Sequence, residues 1–365
     1  MSRNSTIAIV LIIVIVAVAG LAVYSPGMFG LGPAQTTQTM APTEDPRFEA
    51  ALAEGGTIVV TGSIDQPEIQ PWIDVFLEKY PGLKLEYLRA SPSQAYTKIT
   101  GELGAGKDTA DAILVSLPTV LQLKKEGLLE TYRSKEAAAL PKEYVDPDGQ
   151  FAAVVVLTQG YCYNTELVKP EEVPKTIDDL IDPKWAGKMM MHDLRQGTSS
   201  TQYFASMKSY MPESDWNKLI DGLAALKPQL VPSTGTTVES VSTGEMYIGV
   251  FCQFHDVLGL KLKGAPIDFF RLEDAPLMVT TSPIAMITKT KHPSGTQLFI
   301  DFMLSEEGQT LIGNGESIRF PAREVDAKWS LSNLLPGQKL IFYPTEDASD
   351  NAQQYAGEFK AKFNY

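Results

Sequence analysis

The sequence predicts an α/β protein of two lobes, each a mainly parallel sheet flanked by helices, joined by a strand hinge. Three observations predict it. Strand and helix patterns alternate from Thr57 to Glu126, and such alternation builds a parallel sheet with helices on its faces. An apolar run from Phe151 to Tyr163 is interrupted by Thr158-Gln159-Gly160, which suits a strand with a flexible break crossing between lobes. The 365 residues suffice for two lobes of ordinary domain size plus an appendage.

Composition narrows the class. Hydrophobic content of 44% and charged content of 21% are globular values. A net charge of −13 without any basic stripe argues against nucleic acid. An acidic surface suits a soluble body at a membrane face and says little about a ligand, which meets a local site. The two cysteines, Cys162 and Cys252, match no metal spacing. Outside the cytoplasm they could pair, or they could be two buried thiols.

Residues 1–29 read as a membrane anchor or signal segment. Ile7 to Tyr24 is uncharged and apolar, with Arg3 before it and Glu44 and Asp45 after it, so the body is placed outside the membrane. Ala17-Val18-Ala19 has the small-x-small form of a cleavage site, which makes a cleaved, secreted form the alternative. Residues 30–54 read as a flexible tether, rich in Thr, Gln and Pro and unable to pack. A tether favours the uncleaved anchor.

The first lobe opens at residue 55 and runs to 157. Thr57 to Thr61 is a buried-strand pattern. Asp65-Gln66-Pro67-Glu68 has the cap-x-x-Glu form of a helix start, and Trp72, Ile73, Phe76, Leu77 and Tyr80 then recur at helical spacing. Leu83 to Leu88 and Asp111 to Ser116 are further strands; Ser93 to Leu103 and Pro118 to Glu126 are further helices. Ligands of such sheets bind beyond the carboxyl ends of the strands. Those ends offer Ser63, Asp65, Arg89, Ser91 and Ser116, with no nucleophile beside a base. Gly101 to Asp108 nearly matches the phosphate loop GxxxxGK[ST], but Asp108 replaces the magnesium-binding hydroxyl and the stretch follows a helix, so the motif is rejected.

The second lobe spans 158–280. Its central stretch is Asp182 to Ser200. Asp182-Pro183 ends a helical pattern, Gly187 to Met191 is a short buried strand, and Arg195, Gly197, Thr198, Ser199 and Ser200 precede the helical pattern of Thr201 to Tyr210. Free N–H groups and hydroxyls at a helix start are receptive to anions, and Arg195 could add a bidentate charge. An ordinary helix cap is the plainer alternative. Ser233 and Thr234 form a second hydroxyl-rich turn. Gln253, Phe254, His255 and Asp256 close the strand Met246 to Cys252. His192 and Asp193 line the cleft or are buried structural groups.

Several pieces in order resemble the family 1 extracellular solute-binding proteins of ATP-driven (ABC) importers, closest to the ferric-ion, phosphonate and thiamine branch. They are Tyr144-Val-Asp-Pro-Asp-Gly149, Tyr163-Asn164-Thr165, Asp182-Pro-Lys-Trp-Ala-Gly-Lys188, Ser242-Thr-Gly-Glu245, Gly264-Ala-Pro266, Lys291-His-Pro293 and Phe299-Ile-Asp-Phe-Met-Leu-Ser-Glu-Glu-Gly308. The resemblance covers about residues 57 to 325. It implies the two-lobed periplasmic-binding-protein-like fold (type II) with hinge strands near Val154–Gly160 and Thr280–Pro283. The chain then returns to lobe 1 at 281–329, and residues 330–365 form a tail packed on lobe 1. It also implies a ligand in the interlobe cleft, a permease with its ATPase as partners, a monomer, and no cofactor. Ile318 to Arg323 resembles the family's arginine-containing loop near the cleft.

In iron-binding members two adjacent tyrosines follow the strand that Met246 to Cys252 corresponds to. This chain has no Tyr-Tyr pair, so a small anion, such as a phosphonate, phosphate ester or carboxylate, is expected. Ferric iron is the alternative, with His255 and Asp256 as ligands and Tyr161 or Tyr163 as contributors; phenolates are hard donors suited to a trivalent cation. A membrane-tethered ligand sensor is the alternative of another class. An enzyme is not expected, since neither GxSxG nor HExxH occurs. Of the three histidines, His192, His255 and His292, the last is expected to be inert in a surface turn.

Overall fold

The computed structural model describes residues 45–196, 199–336, 340–342 and 352–364. The apolar run Ile7 to Tyr24 lies outside the described residues, among which no helix is long and apolar enough to cross a membrane. Of the stretch 30–54 expected to be a tether, residues Pro46–Ala53 are a helix, α1. Asp45 caps it by accepting from the Arg47 backbone N–H at 3.0 Å, and proline in the first turn supplies the right φ. Phe48 and Ala51, three apart, are buried and hold α1 against helix α10, Pro293–Leu304.

Strands β1 (Thr57–Gly62), β2 (Lys84–Arg89) and β3 (Ala112–Leu114) are parallel, with β1 in the middle. Between and after them run α2 (Gln66–Lys79), α3 (Pro92–Gly104) and α4 (Leu117–Lys125), each with proline in its first turn. The stripe Ile69, Trp72, Ile73 and Phe76 of α2 is buried, each side chain contributing about 1.5–3 kcal/mol. Gly101 to Asp108 is the end of α3 and the turn after it, which is no phosphate loop.

Two long strands pass between the lobes. Strand β4 (Phe151–Asn164) lies antiparallel to β9 (Leu277–Met286), with Val155 opposite Ser282 and Leu157 opposite Thr280. Strand β9 also pairs with β3 in lobe 1. Beyond Thr158, β4 instead pairs with β7 (Ile248–Gln253) and β8 (Ile267–Phe270). The expected break at Thr158-Gln159-Gly160 is a continuous strand with a register shift between Gly160 and Tyr161. Gly160 is small for packing rather than flexibility, since a Cβ there would lie 2.4 Å from the Phe269 ring.

In lobe 2, β5 (Met189–His192) is parallel to β6 (Gln229–Val231) and β7. Helices α5 (Ile177–Leu180), α6 (Ser199–Met207), α7 (Glu213–Leu226), α8 (Thr234–Ser242) and α9 (Phe254–Leu262) cover this sheet. Each lobe is therefore parallel at its centre and antiparallel where the crossing strands enter. Cys162 and Cys252 form a disulfide between β4 and β7, with Cα atoms 6.0 Å apart; a Cβ at Gly249 would strike both sulfurs.

The return runs through α10, α11 (Glu306–Asn314) and β10 (Phe320–Pro321), which pairs with β4. His292 is not inert: its Nδ1 lies 3.1 Å from both Asp111 carboxylate oxygens. The buried Asp111 also accepts from Val59 N and Thr290 Oγ1, so this is a structural clasp. The tail divides between the lobes. Trp329 and Leu331, the latter opening α12 (Leu331–Leu334), join the lobe-1 core. Strand β11 (Leu340–Phe342) pairs with β9. Helix α13 (Ala352–Lys362) packs on lobe 2 rather than on lobe 1 as expected, because Phe359 and Phe363 complete an aromatic cluster there.

Candidate functional site

The carboxyl ends of the lobe-1 strands become helix starts. Asp65, Ser91 and Ser116 are the N-cap residues of α2, α3 and α4. Ser91 is engaged in a capping box with Gln94 and lies 3.3 Å from the Ser93 hydroxyl. Asp65 and Ser116 make no side-chain cap bond. Arg89 Nε pairs with Asp65 Oδ1 at 3.0 Å, an exposed pair worth under about 1 kcal/mol. The Ser63 N–H donates to Leu114 O at 3.0 Å. These turns offer backbone donors at two helix ends and a cation already shared with a carboxylate.

In lobe 2, the structure gives Arg195 a different use from the expected one. Its Nε and Nη2 donate to the two oxygens of Asp193 at 2.8 and 2.9 Å, and Nη1 donates to Phe363 O at 3.2 Å. The bidentate fork is thus taken up inside the turn. Gly197 and Thr198 lie outside the described residues, as does the side chain of Ser199, which opens α6. Ser200 is buried, its Oγ 2.7 Å from His192 Nδ1 and 3.0 Å from Gln159 Oε1. His192 Nε2 lies 3.1 Å from Pro232 O, and burial pushes the imidazole pKa down. Ser233 caps α8 by accepting from Thr236 N at 3.2 Å, with Thr234 beside it.

A different group gathers where β7 ends and α9 begins. Phe251 has φ +67°, costly for a side chain of that size. It bulges out of the β4–β7 ladder, so that Gln253 falls opposite Gln159; a bulge re-aims the residues after it. His255 Nε2 lies 3.4 Å from Asp256 Oδ1. With its proton on Nε2, facing that carboxylate, the ring leaves Nδ1 as an acceptor. Burial and the nearby Arg319 charge push the His255 pKa down to about 3. Burial pushes the Asp256 carboxyl up, and Arg319 opposes this. Phe254 has no oxygen to offer a ligand; it stacks on Phe320 at 5.4 Å and packs tilted against Phe269 at 4.6 Å.

Arg319 is the residue that sequence reasoning left off the site. It comes from the returning lobe-1 segment and pairs with Glu68 in the first turn of α2. Its neighbours reach α9: Phe320 through Phe254, and Ile318 by its approach to Gly259. Arg319 therefore stands between the first turns of α2 and α9. Its Nε, Gln253 Oε1, His255 Nδ1 and Thr280 Oγ1 are all buried without a hydrogen-bond partner among the described residues. Buried polar groups are normally satisfied, so two acceptors and one cationic donor here are suited to a polar ligand. The only signal in the sequence was the resemblance of Ile318 to Arg323 to a cleft loop.

Among the described residues no group of three or more His, Cys, Asp or Glu could hold a metal ion. Tyr161 stacks on Phe270 at 5.4 Å, and burial pushes its phenol pKa up, as it does for Tyr163. A cavity of about 720 Å³ lies elsewhere in lobe 1, lined by Leu140, Val145, Phe151, Ile284, Ile300 and Leu304. None of the candidate residues borders it.

Comparison with known proteins agrees with this architecture. The family model for bacterial extracellular solute-binding proteins matches residues 107–351. The Fe(3+)-binding periplasmic protein of Serratia marcescens is 20% identical over 319 residues, 82% of this chain and 92% of that protein. The substrate binding protein of an ABC transporter from Agrobacterium tumefaciens superposes with a TM-score of 0.71 at 17% identity, covering 84% of this chain and 94% of that one. The periplasmic binding protein AfuA from Actinobacillus pleuropneumoniae, with fructose-6-phosphate bound, superposes with a TM-score of 0.68 at 23% identity, covering 85% and 99%. The fold is that of the type II periplasmic binding proteins, and the chain belongs to the bacterial extracellular solute-binding protein family.

Proposed function

We propose that this protein is the extracytoplasmic binding component of an ABC importer. It takes a small anionic solute, a phosphate ester rather than a bare ferric ion, between its lobes and delivers it to a permease and its ATPase. The observation that carries this reading is the group at the start of α9. A neutral imidazole, a carboxylate and an orphaned amide oxygen beside Arg319 suit a solute with both hydroxyls and an anionic group. The backbone donors at the starts of α2 and α4, with Ser63 and Ser233, suit the anion. AfuA, a structural neighbour, holds fructose-6-phosphate, a solute of that class.

The protein acts as a monomer without a cofactor and without turning over its ligand. Ser200 and His192 are within hydrogen-bond distance but buried, so no substrate reaches that pair. Ile7 to Tyr24 holds the body at the outer membrane face, in keeping with its uncharged apolar sequence.

The test is a thermal-shift and calorimetry panel with fructose-6-phosphate, inorganic phosphate, a phosphonate, thiamine and citrate-buffered ferric iron. A ligand at ~100 times its Kd adds about 2.7 kcal/mol to stability. A shift with fructose-6-phosphate, lost in Arg319→Ala, is expected, with the sugar phosphate recovered intact. A shift with ferric iron alone would overturn the anionic reading in favour of the activity named for the Serratia relative.

A further inference from the structure

We propose that Thr280 and Gln253 are specificity-determining residues of the solute site, reading the hydroxyls of a polyhydroxylated phosphate ester that lies over Leu157 at the crossing strands. The inference rests on the reading of the site as one for a phosphate ester. It names the part of the solute that the site selects.

The place is marked by burial. Strand β4 is buried from Ala152 to Val156 and from Thr158 to Cys162, with Leu157 partly exposed between them. Strand β9 is buried on both sides of a partly exposed Thr280. Strand β7 is buried up to a partly exposed Gln253. These three openings coincide. Leu157 stands opposite Thr280, and Gln159, two residues further along β4, stands opposite Gln253. Side chains two apart on a strand share a face, and so do registered partners on neighbouring strands. Leu157, Gln159, Thr280 and Gln253 therefore line one face of the crossing sheet. That face looks towards α6, because Gln159 Oε1 accepts from Ser200 Oγ at 3.0 Å.

The fold leaves polar atoms on this face unused. Gln253 Oε1 and Thr280 Oγ1 are buried with no hydrogen-bond partner among the described residues. The threonine of the adjoining row is satisfied, since Thr158 Oγ1 donates to Met278 O at 2.8 Å. A buried hydroxyl without a partner costs stability, and valine would fill the same strand position without that cost. Both oxygens become reachable as the lobes part about the crossing strands.

The atoms dictate the ligand chemistry. An amide oxygen only accepts, so the solute must donate to Gln253; the Thr280 hydroxyl can donate or accept. Solute hydroxyls meet both demands. Leu157 beside them takes the C–H face of the same carbon skeleton, and the phosphate is left for Arg319, whose Nε is also without a partner among the described residues. A simple alkyl phosphate could cover Leu157 but has no hydroxyl to give.

The experiment is calorimetry on the full chain, Thr280→Val and Gln253→Met. The probes are fructose-6-phosphate and propyl phosphate, which keeps the ester and lacks the hydroxyls. Wild type should prefer fructose-6-phosphate by about tenfold or more, because a site built to bond a hydroxyl rejects the analogue without it. Each variant should raise the Kd for fructose-6-phosphate about tenfold and leave that for propyl phosphate within about twofold. Thr280→Ser should restore most of the affinity. Without ligand, Thr280→Val should melt above wild type, as expected when an unsatisfied hydroxyl is removed; a threonine that only supports the sheet would melt lower when replaced. Unchanged affinity in Thr280→Val, or an equal loss on both esters, overturns the proposal and leaves the phosphate-ester reading standing. A wild-type chain that binds neither ester overturns that reading, and the proposal with it.

Discussion

Arg195 and Arg319 present the same planar fork of donors, and both were within reach of the sequence. Arg195 follows a carboxylate by two residues and closes on it, so its charge is spent within its own turn. Arg319 finds its partner, Glu68, 251 residues away, and its Nε is buried without one among the described residues. The first arginine shapes a turn; the second brings charge to a place where the lobes meet. A cation's presence in a sequence does not make it available, because the nearest carboxylate claims it first.

The sharpest way to break this comparison is to loosen the strand end that Arg319 faces. The double substitution Cys162→Ala/Cys252→Ala opens a 90-residue loop and should cost about 2–5 kcal/mol, measured by urea unfolding, together with weakened ligand binding. Unfolding of the unreduced wild type that is indifferent to reductant would contradict the bond. Next in size, Arg319→Ala should lower solute affinity by about 1.5–3 kcal/mol, the worth of hydrogen bonds to a charged group. Arg319→Lys should recover only part of it. Glu68→Gln, which frees Arg319, should not weaken binding.

Arg195→Ala should show the reverse balance. It removes the two guanidinium donors from the nearly buried Asp193, so stability should fall by about 1–3 kcal/mol, with a smaller effect on affinity than Arg319→Ala. An equal or larger affinity loss would return Arg195 to direct ligand contact. The smallest effect is a pH slope. The His255 pKa lies at about 3 in the folded chain and ~6.5 in the unfolded chain. The unfolded state therefore binds the extra proton in that window, and stability falls as pH drops from ~6.5 towards about 3. The side chain keeps some exposure, 17%, so the slope should stay below ~1.4 kcal/mol per pH unit. Wild type should lose more stability than His255→Gln between pH 7 and pH 5. Parallel losses would show that His255 titrates normally.

Much of the framework was legible because its causes are local. The alternation that built β1 to β3, the cap and proline pattern of Asp65 to Glu68, and the helical stripe of α2 each act within a few residues. Helix α1 was missed because Phe48 and Ala51 are a short stripe inside a polar stretch. Helix α9 was not legible because Phe254, His255 and Asp256, its first three residues, also read as the end of a strand. The placement of α13 on lobe 2 had no local signal: Phe359 and Phe363 could serve either core.

The sequence alone determined the α/β class, the lobe elements, the acidic body and the lack of a tyrosine pair, since periodicity and composition need no partner to be read. Tertiary structure decided which groups meet. The Cys162–Cys252 bond, the Arg319–Glu68 pair and the Arg195 contact with Phe363 O join residues 90, 251 and 168 positions apart. Contacts at such distances are set by how the lobes pack, and packing is the sum of many weak terms that no short stretch contains.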